Sequence, residues 1–343
     1  MWPFRRRETH PIRTWVPKDA YQRVCEERDT LQRRYDELSA VLAGEEVIYI
    51  ARASADRLIN VGITVGKRAR IGDTLSFATI DMNEGTRKPR PLISAPGYDI
   101  QGVPVRDASG ALLGVHYLTD ARATAWFDPG MKAMQEQVDK LMPSTINRLD
   151  CGLCSARRKV LVTSSSDRQP PTFLLFDTDK GTLERLVDSR PWIKPIAMAK
   201  RDMVRIKARD GLDIPVHLTR PPGREGPAPM VVLVHGGPWV RGGEWRWDPD
   251  SQFLASRGYV VVEPEFRGSM GFGFKHFQAS WKQWGLAMQD DVADAAQWAI
   301  KQGYADPKRV CIAGASYGGY ATLMGLIRNP ELFRCGVEWV GVT

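Results

Sequence analysis

No stretch of this 343-residue chain stays apolar for anything near the ~18 residues that a membrane-spanning helix requires. The opening Met1-Trp2-Pro3-Phe4-Arg5-Arg6-Arg7 is basic, but no apolar core of a secretory signal follows it. Cysteine is scarce: five residues, an odd number and too few for a disulfide framework. A cytoplasmic location is therefore the expectation. Charge of one sign is not concentrated either. The formal net charge is +8, yet the lysines and arginines are spread along the chain, which argues against a nucleic-acid partner. Histidine is equally sparse, and the last of the five is His276.

What is present is ordinary for a folded protein: 43% hydrophobic and 26% charged residues, enough for a sizeable core and a length that suggests two domains. The texture of the chain changes twice. Residues 1–44 form an N-terminal arm. Asp19 can cap a helix running to Ala43, with Gln22 three positions on, and Gly44 stops it. Tyr21, Val24, Leu31, Tyr35, Leu38 and Leu42 follow a heptad spacing. That pattern suits a homo-oligomer formed through residues 19–43, and it suits equally an amphipathic helix laid on the next domain.

Residues 45–196 are β-rich. Short runs such as Leu75 to Ile80, Val103 to Val105, Leu113 to Tyr117, Val160 to Thr163 and Phe173 to Phe176 alternate with turn residues. Thr172–Asp177 and Thr182–Leu186 read as an outer hairpin of a propeller blade, and one helix interrupts at Pro129 to Leu141. The expectation is two or three blades of a partial β-propeller. Two motifs here carry no chemistry. Gly62 to Lys67 is one residue short of a phosphate loop, with Arg68 where a hydroxyl should bind magnesium. Cys151-Gly152-Leu153-Cys154 has metal or redox spacing but no second pair, so a turn with two thiols is the reading.

Past Arg190-Pro191-Trp192 the pattern becomes α/β, over residues 197–343. A hairpin around Asp210-Gly211 precedes the apolar run Met230 to Val234, expected as a central strand. Ser251 to Arg257 reads as helix, Tyr259 to Val262 as strand and Asp290 to Lys301 as helix, with Val292, Ala295, Ala296 and Ile300 on one face. Arg309 to Ala313 then enters Gly314-Ala315-Ser316-Tyr317-Gly318, and Ala321 to Ile327 leaves it as helix. Strand, tight turn at Gly-x-Ser-x-Gly, helix is the layout of a nucleophile elbow. Ser316 is the candidate nucleophile. The Tyr317 N–H faces the place where a carbonyl oxygen would become negative, and Gly237 in His235-Gly236-Gly237-Pro238 supplies a second donor. His235 reads either as a catalytic base or as a brace for its own loop, and the brace is favoured.

These segments, together with Glu265-Phe266-Arg267-Gly268-Ser269-Met270-Gly271-Phe272-Gly273, Trp284-Gly285 and Asp290-Asp291-Val292, make residues 100–343 resemble the prolyl oligopeptidase family, in its dipeptidyl- and acylaminoacyl-peptidase branches. The resemblance does not reach residues 1–44. It implies an α/β-hydrolase domain capped by a β-propeller and a serine peptidase acting on short peptides. Ser316 would be the nucleophile, with Tyr317 and Gly237 forming the oxyanion hole, and no metal or organic cofactor is needed. The elbow alone fits an esterase or lipase as well.

The pattern departs from the family after Ser316. A serine hydroxyl needs a base, and in this fold the order along the chain is Ser, then Asp or Glu, then His. The residues that follow Ser316 include Glu331 and Glu338 but no histidine. The expectation is therefore an incomplete, C-terminally truncated α/β-hydrolase without its triad acid and base. Cys335 to Val340 would be an unpaired edge strand. Little or no peptide turnover, or a non-catalytic remnant with an assembly arm, follows from that reading.

Overall fold

The computed structural model describes residues 64–81, 90–150 and 158–342. The chain divides into two compact units, Met1–Ile48 and Tyr49–Thr343, and all described residues belong to the second. The helix expected over 19–43 and the Cys151–Cys154 pair lie outside the described residues. Among the described residues no helix is long and apolar enough to cross a membrane.

Three antiparallel sheets come first. β1 (Thr64–Ile71) pairs with β2 (Thr74–Asp81), and β2 with β3 (Arg90–Ile93). Thr64 to Lys67 thus lie in a strand, not in a loop that could wrap a phosphate. β4 (Val103–Arg106), β5 (Leu112–Leu118) and β6 (Arg122–Trp126) form a second meander. Asp128 then caps helix α1 (Pro129–Leu141) by accepting the Met131 N–H at 2.8 Å, with Pro129 in the first turn. A four-stranded sheet closes this half: β7 (Ile146–Asp150), β8 (Lys159–Ser165), β9 (Thr172–Asp177) and β10 (Thr182–Asp188), adjacent in space in chain order. Its period-two alternation turns Val160, Val162, Leu174 and Phe176 inward, where they pack with Met131 and Val138 of α1.

Of these sheets only β7–β10 has the four strands of a propeller blade. The two others have three each, and none closes into a ring among the described residues. β3, β6 and β7 were not legible in the sequence. The β6 segment, Arg122-Ala123-Thr124-Ala125-Trp126, is mostly half-buried and lacks the apolar alternation of a buried strand.

The second half is built on one six-stranded sheet. Its strands are β11 (Lys200–Lys207), β12 (Asp213–Arg220), β13 (Ala228–Val234), β14 (Val260–Pro264), β15 (Ala305–Ala315) and β16 (Cys335–Trp339), in the spatial order β11-β12-β14-β13-β15-β16. β12 runs antiparallel to both its neighbours, β11 and β14, whereas β14, β13, β15 and β16 are mutually parallel. Helices α2 (Pro249–Ala255), α3 (Phe274–Gln278), α4 (Ala287–Lys301) and α5 (Tyr317–Arg328) connect them. Met230, Val232 and Val234 are fully buried, and each such apolar side chain contributes roughly 1.5–3 kcal/mol. α4 is buried more widely than its expected face: Met288, Ala293 and Ala299 are covered as well as Val292, Ala295 and Ala296.

Parallel strands put their carboxyl ends on one side of a sheet, and ligand sites in open α/β folds form there. The segments after β13, β14 and β15 begin at His235, Glu265 and Ser316, so the topology alone gathers the three motifs.

Candidate active site

Ser316 sits between β15 and α5 with φ 57° and ψ −118°, a conformation that non-glycine residues rarely adopt. The residue is exposed while Tyr317, Gly318 and Gly319 behind it are buried. The flanking glycines are there for space. A Cβ on Gly314 would stand 2.5 Å from the Val234 carbonyl oxygen, and one on Gly318 would overlap that same oxygen. The turn is pressed against the end of β13, and only hydrogen fits in the gap.

The His235–Pro238 loop lies beside it. A Cβ built on Gly236 would be 3.4 Å from Ser316 Cβ and 4.0 Å from Ser316 Oγ. Gly237 has φ +122°, open to glycine and strained for other residues. Tyr317 opens α5, so its N–H belongs to the first turn, which has no intrahelical acceptor. Among the described residues no acceptor is bonded to the Gly237 or the Tyr317 amide. The structure thus brings Ser316, Tyr317 and the Gly236–Gly237 segment together.

His235 is occupied elsewhere. Its Nδ1 lies 2.7 Å from Gly236 O and its Nε2 2.9 Å from Ser269 Oγ, and the ring stacks on Phe266 with centroids 4.4 Å apart. His276 is buried with Nε2 3.1 Å from Phe266 O, and burial pushes its pKa down. His217 is buried against Glu265, Nε2 to Oε1 3.5 Å. Each histidine of the six-stranded sheet and its connections is engaged away from Ser316.

Several residues that hold the site went unassigned in the sequence. Glu265, 1% exposed, accepts the N–H groups of Gly242 and Gly243 at 2.9 and 2.6 Å and so clamps the far end of the loop that starts at His235. Burial alone would raise its pKa. The neighbouring His217 and His235 side chains and the Gly242 N–H outweigh burial and bring it down to about 2. Arg267 donates to both oxygens of Asp291 at 2.8 Å and to Asp210 at 2.8 Å. Burial opposes its charge, but these hydrogen bonds raise its pKa further and keep it cationic. Tyr317 packs its ring between Phe266 and Trp284, and burial pushes its phenol up. The β-rich half grips the segment after Arg267: Asp73 accepts the Lys275 N–H at 2.7 Å and Asp99 the Gly273 N–H at 3.1 Å. A cleft of about 630 Å³ also opens between β5, β6, α1 and β7. Glu244 reaches it from the loop that follows His235, but Ser316 does not line it.

A mostly parallel sheet that turns at Gly-x-Ser-x-Gly into a helix, with a glycine loop from the neighbouring strand beside the serine, defines an α/β-hydrolase. Residues 245–343 match the Prolyl oligopeptidase family. The chain is similar to dipeptidyl aminopeptidase BIII of Pseudoxanthomonas mexicana, 34% identical over 279 residues that cover 78% of this chain and 40% of that protein. It is also similar to dipeptidyl peptidase family member 6 of Caenorhabditis elegans, 34% identical over 203 residues, 53% of this chain and 27% of that protein. Among solved structures, a puromycin-hydrolyzing peptidase of Mycobacterium tuberculosis superposes with a TM-score of 0.62 at 22% identity, over 81% of this chain and 43% of that one. Dipeptidyl peptidase 4 of Porphyromonas gingivalis superposes with 0.60 at 23% identity, over 82% and 40%. The chain therefore spans less than half the length of these relatives.

Proposed function

We propose that the chain carries the nucleophile and oxyanion hole of a serine peptidase of the dipeptidyl-peptidase type. Ser316 Oγ attacks the carbonyl carbon of a peptide bond, the Tyr317 and Gly237 amides hold the resulting oxyanion, and water later releases the acyl group. Residues 197–343 are the hydrolase portion and 45–196 a propeller-type cap that restricts access to short peptides. The observation that carries this reading is the exposed Ser316 at φ 57°, with the Gly236 backbone beside its hydroxyl. A spectator serine in a surface turn has no need of that conformation.

Among the described residues no histidine is placed to serve Ser316 as a base: His235 and His276 hold other partners and His217 lies against Glu265. Turnover of peptide p-nitroanilides by the 343-residue chain is accordingly expected to be absent. Reaction with a fluorophosphonate tests the nucleophile directly. The expected adduct maps to Ser316, forms faster as pH rises because hydroxide can take the serine proton, and is lost in Ser316→Ala. An adduct elsewhere, or one unaffected by Ser316→Ala, would refute the assignment. Running p-nitrophenyl esters beside the anilides separates peptidase from esterase chemistry.

A further inference from the structure

Cys311 and Cys335 sit directly opposite each other on the adjacent parallel strands β15 and β16, with Cα atoms 4.7 Å apart, and are joined as a disulfide. That separation is within the span a disulfide accepts. Cys335 is exposed, whereas Cys311 is half-buried. β16 pairs on one side only among the described residues, and every residue in it is exposed.

The other end of β16 holds the serine turn. The Ser316 N–H donates to Trp339 O at 3.2 Å, and the Val342 N–H donates to Ser316 O at 3.2 Å. Gly341 packs against Gly319 so closely that a Cβ on Gly319 would stand 2.6 Å from Gly341 Cα. One short strand is thus tied by sulfur at its start and by the Ser316 backbone at its end. A residue at φ 57° keeps that conformation only when its surroundings impose it, and β16 is one of the two elements that do so.

We propose that Cys311–Cys335 is a site of thiol–disulfide exchange with a low-molecular-weight thiol, and that its redox state sets how firmly the Ser316 turn is held. The attacking thiolate forms a bond to the exposed Cys335 Sγ. The Cys311–Cys335 bond breaks, and its electron pair leaves with Cys311 Sγ as a thiolate. A second thiolate then attacks the added sulfur, releases the small-molecule disulfide and leaves Cys335 as a thiolate. Two electrons pass from two thiols to the protein disulfide. With the bridge open, β16 is held by its backbone hydrogen bonds and by its packing on α5, where Gly336 lies against Thr322 and Leu326. The exchange itself does not depend on the role of Ser316; its consequence for catalysis rests on the function proposed above.

The test uses the full chain with millimolar reduced glutathione, read by differential alkylation with peptide mass mapping and by amide hydrogen exchange. Untreated protein is expected to give a bridged Cys311/Cys335 peptide pair. Limiting glutathione should place the mixed disulfide on Cys335, and full reduction should speed exchange of the Ser316 amide and of residues 336–342 by about tenfold or more. Free thiols at both positions in air-oxidised protein overturn the proposal. So does a bridge that resists glutathione in the native state, or a reducible bridge whose opening leaves Ser316 protection unchanged. The double variant Cys311→Ala/Cys335→Ala should exchange fast with or without thiol. If that variant does not fold, the reduction series on the unmodified chain decides by itself. Neither readout requires turnover, so a failed phosphonate reaction leaves this result interpretable.

Discussion

Oε1 of Glu265 accepts the Gly243 N–H at 2.6 Å while Oε2 accepts that of Gly242 at 2.9 Å, so one buried carboxylate fixes the end of the loop whose beginning lies against Ser316. The folded-state pKa of about 2 lies below the ordinary 4.5, so the carboxylate favours folding above the ordinary value. That contribution is complete above roughly pH 5 and is lost as pH falls from 4.5 toward 2. Glu265→Gln should cost on the order of 3 kcal/mol at pH 7, because the neutral amide gives up one of the two charge-assisted bonds to Gly242 and Gly243. The gap from the parent should narrow across that acid window. Urea denaturation of both proteins from neutral to acid pH checks it; a gap that stays constant with pH rejects the charge as the cause.

Ser316 pays a conformational cost that glycine would not. Ser316→Gly should therefore be more stable than Ser316→Ala by about 1 kcal/mol, after the greater freedom of glycine in the unfolded chain is set against the relieved strain. Paired thermal melts measure the difference. Equal midpoints would mean that the turn is relaxed.

Two glycine positions should separate spatial from conformational need. Gly318→Ala drives a Cβ into the Val234 carbonyl oxygen, and neither backbone can yield without disturbing β13, so a loss of at least ~3 kcal/mol is expected. Gly303 has φ +74° but nothing within 4 Å of its would-be Cβ, and Gly303→Ala should cost only about 1 kcal/mol. Denaturant midpoints of the two variants report the contrast.

Burial should likewise rank the ion pairs. Asp291→Asn leaves the Arg267 guanidinium, itself buried, short of its bidentate partner and should cost about 3–5 kcal/mol. Arg122 also meets Glu244 through several hydrogen bonds, but its side chain is 60% exposed, and Arg122→Ala should cost less than ~1 kcal/mol. Similar losses for the two would show that geometry, not desolvation, governs these pairs.

The hydrolase half was legible because its signals are local. Met230 to Val234 is a continuous apolar run, and β13 spans Ala228–Val234. The expected helix over Asp290–Lys301 is α4, which starts three residues earlier at Ala287. In the β-rich half the strands with an apolar or β-branched run were the ones that could be read. Leu113 to Tyr117 lies within β5, whereas Arg122–Trp126 offered no contrast between its faces. Glu265 stood inside a recognised motif, yet its role depends on Gly242 and Gly243, residues that reach it only through the loop between β13 and β14.

By itself the sequence determined the strand–turn–helix around Ser316 and the glycines beside it, because these depend on residue type and near neighbours. Tertiary structure alone decided that Cys311 faces Cys335 and that β16 holds Ser316. It alone decided that His235 spends both ring nitrogens on Gly236 and Ser269. Each of those contacts joins segments whose proximity follows from strand order in the sheet, and strand order is a property of how the whole core packs rather than of any one stretch of chain.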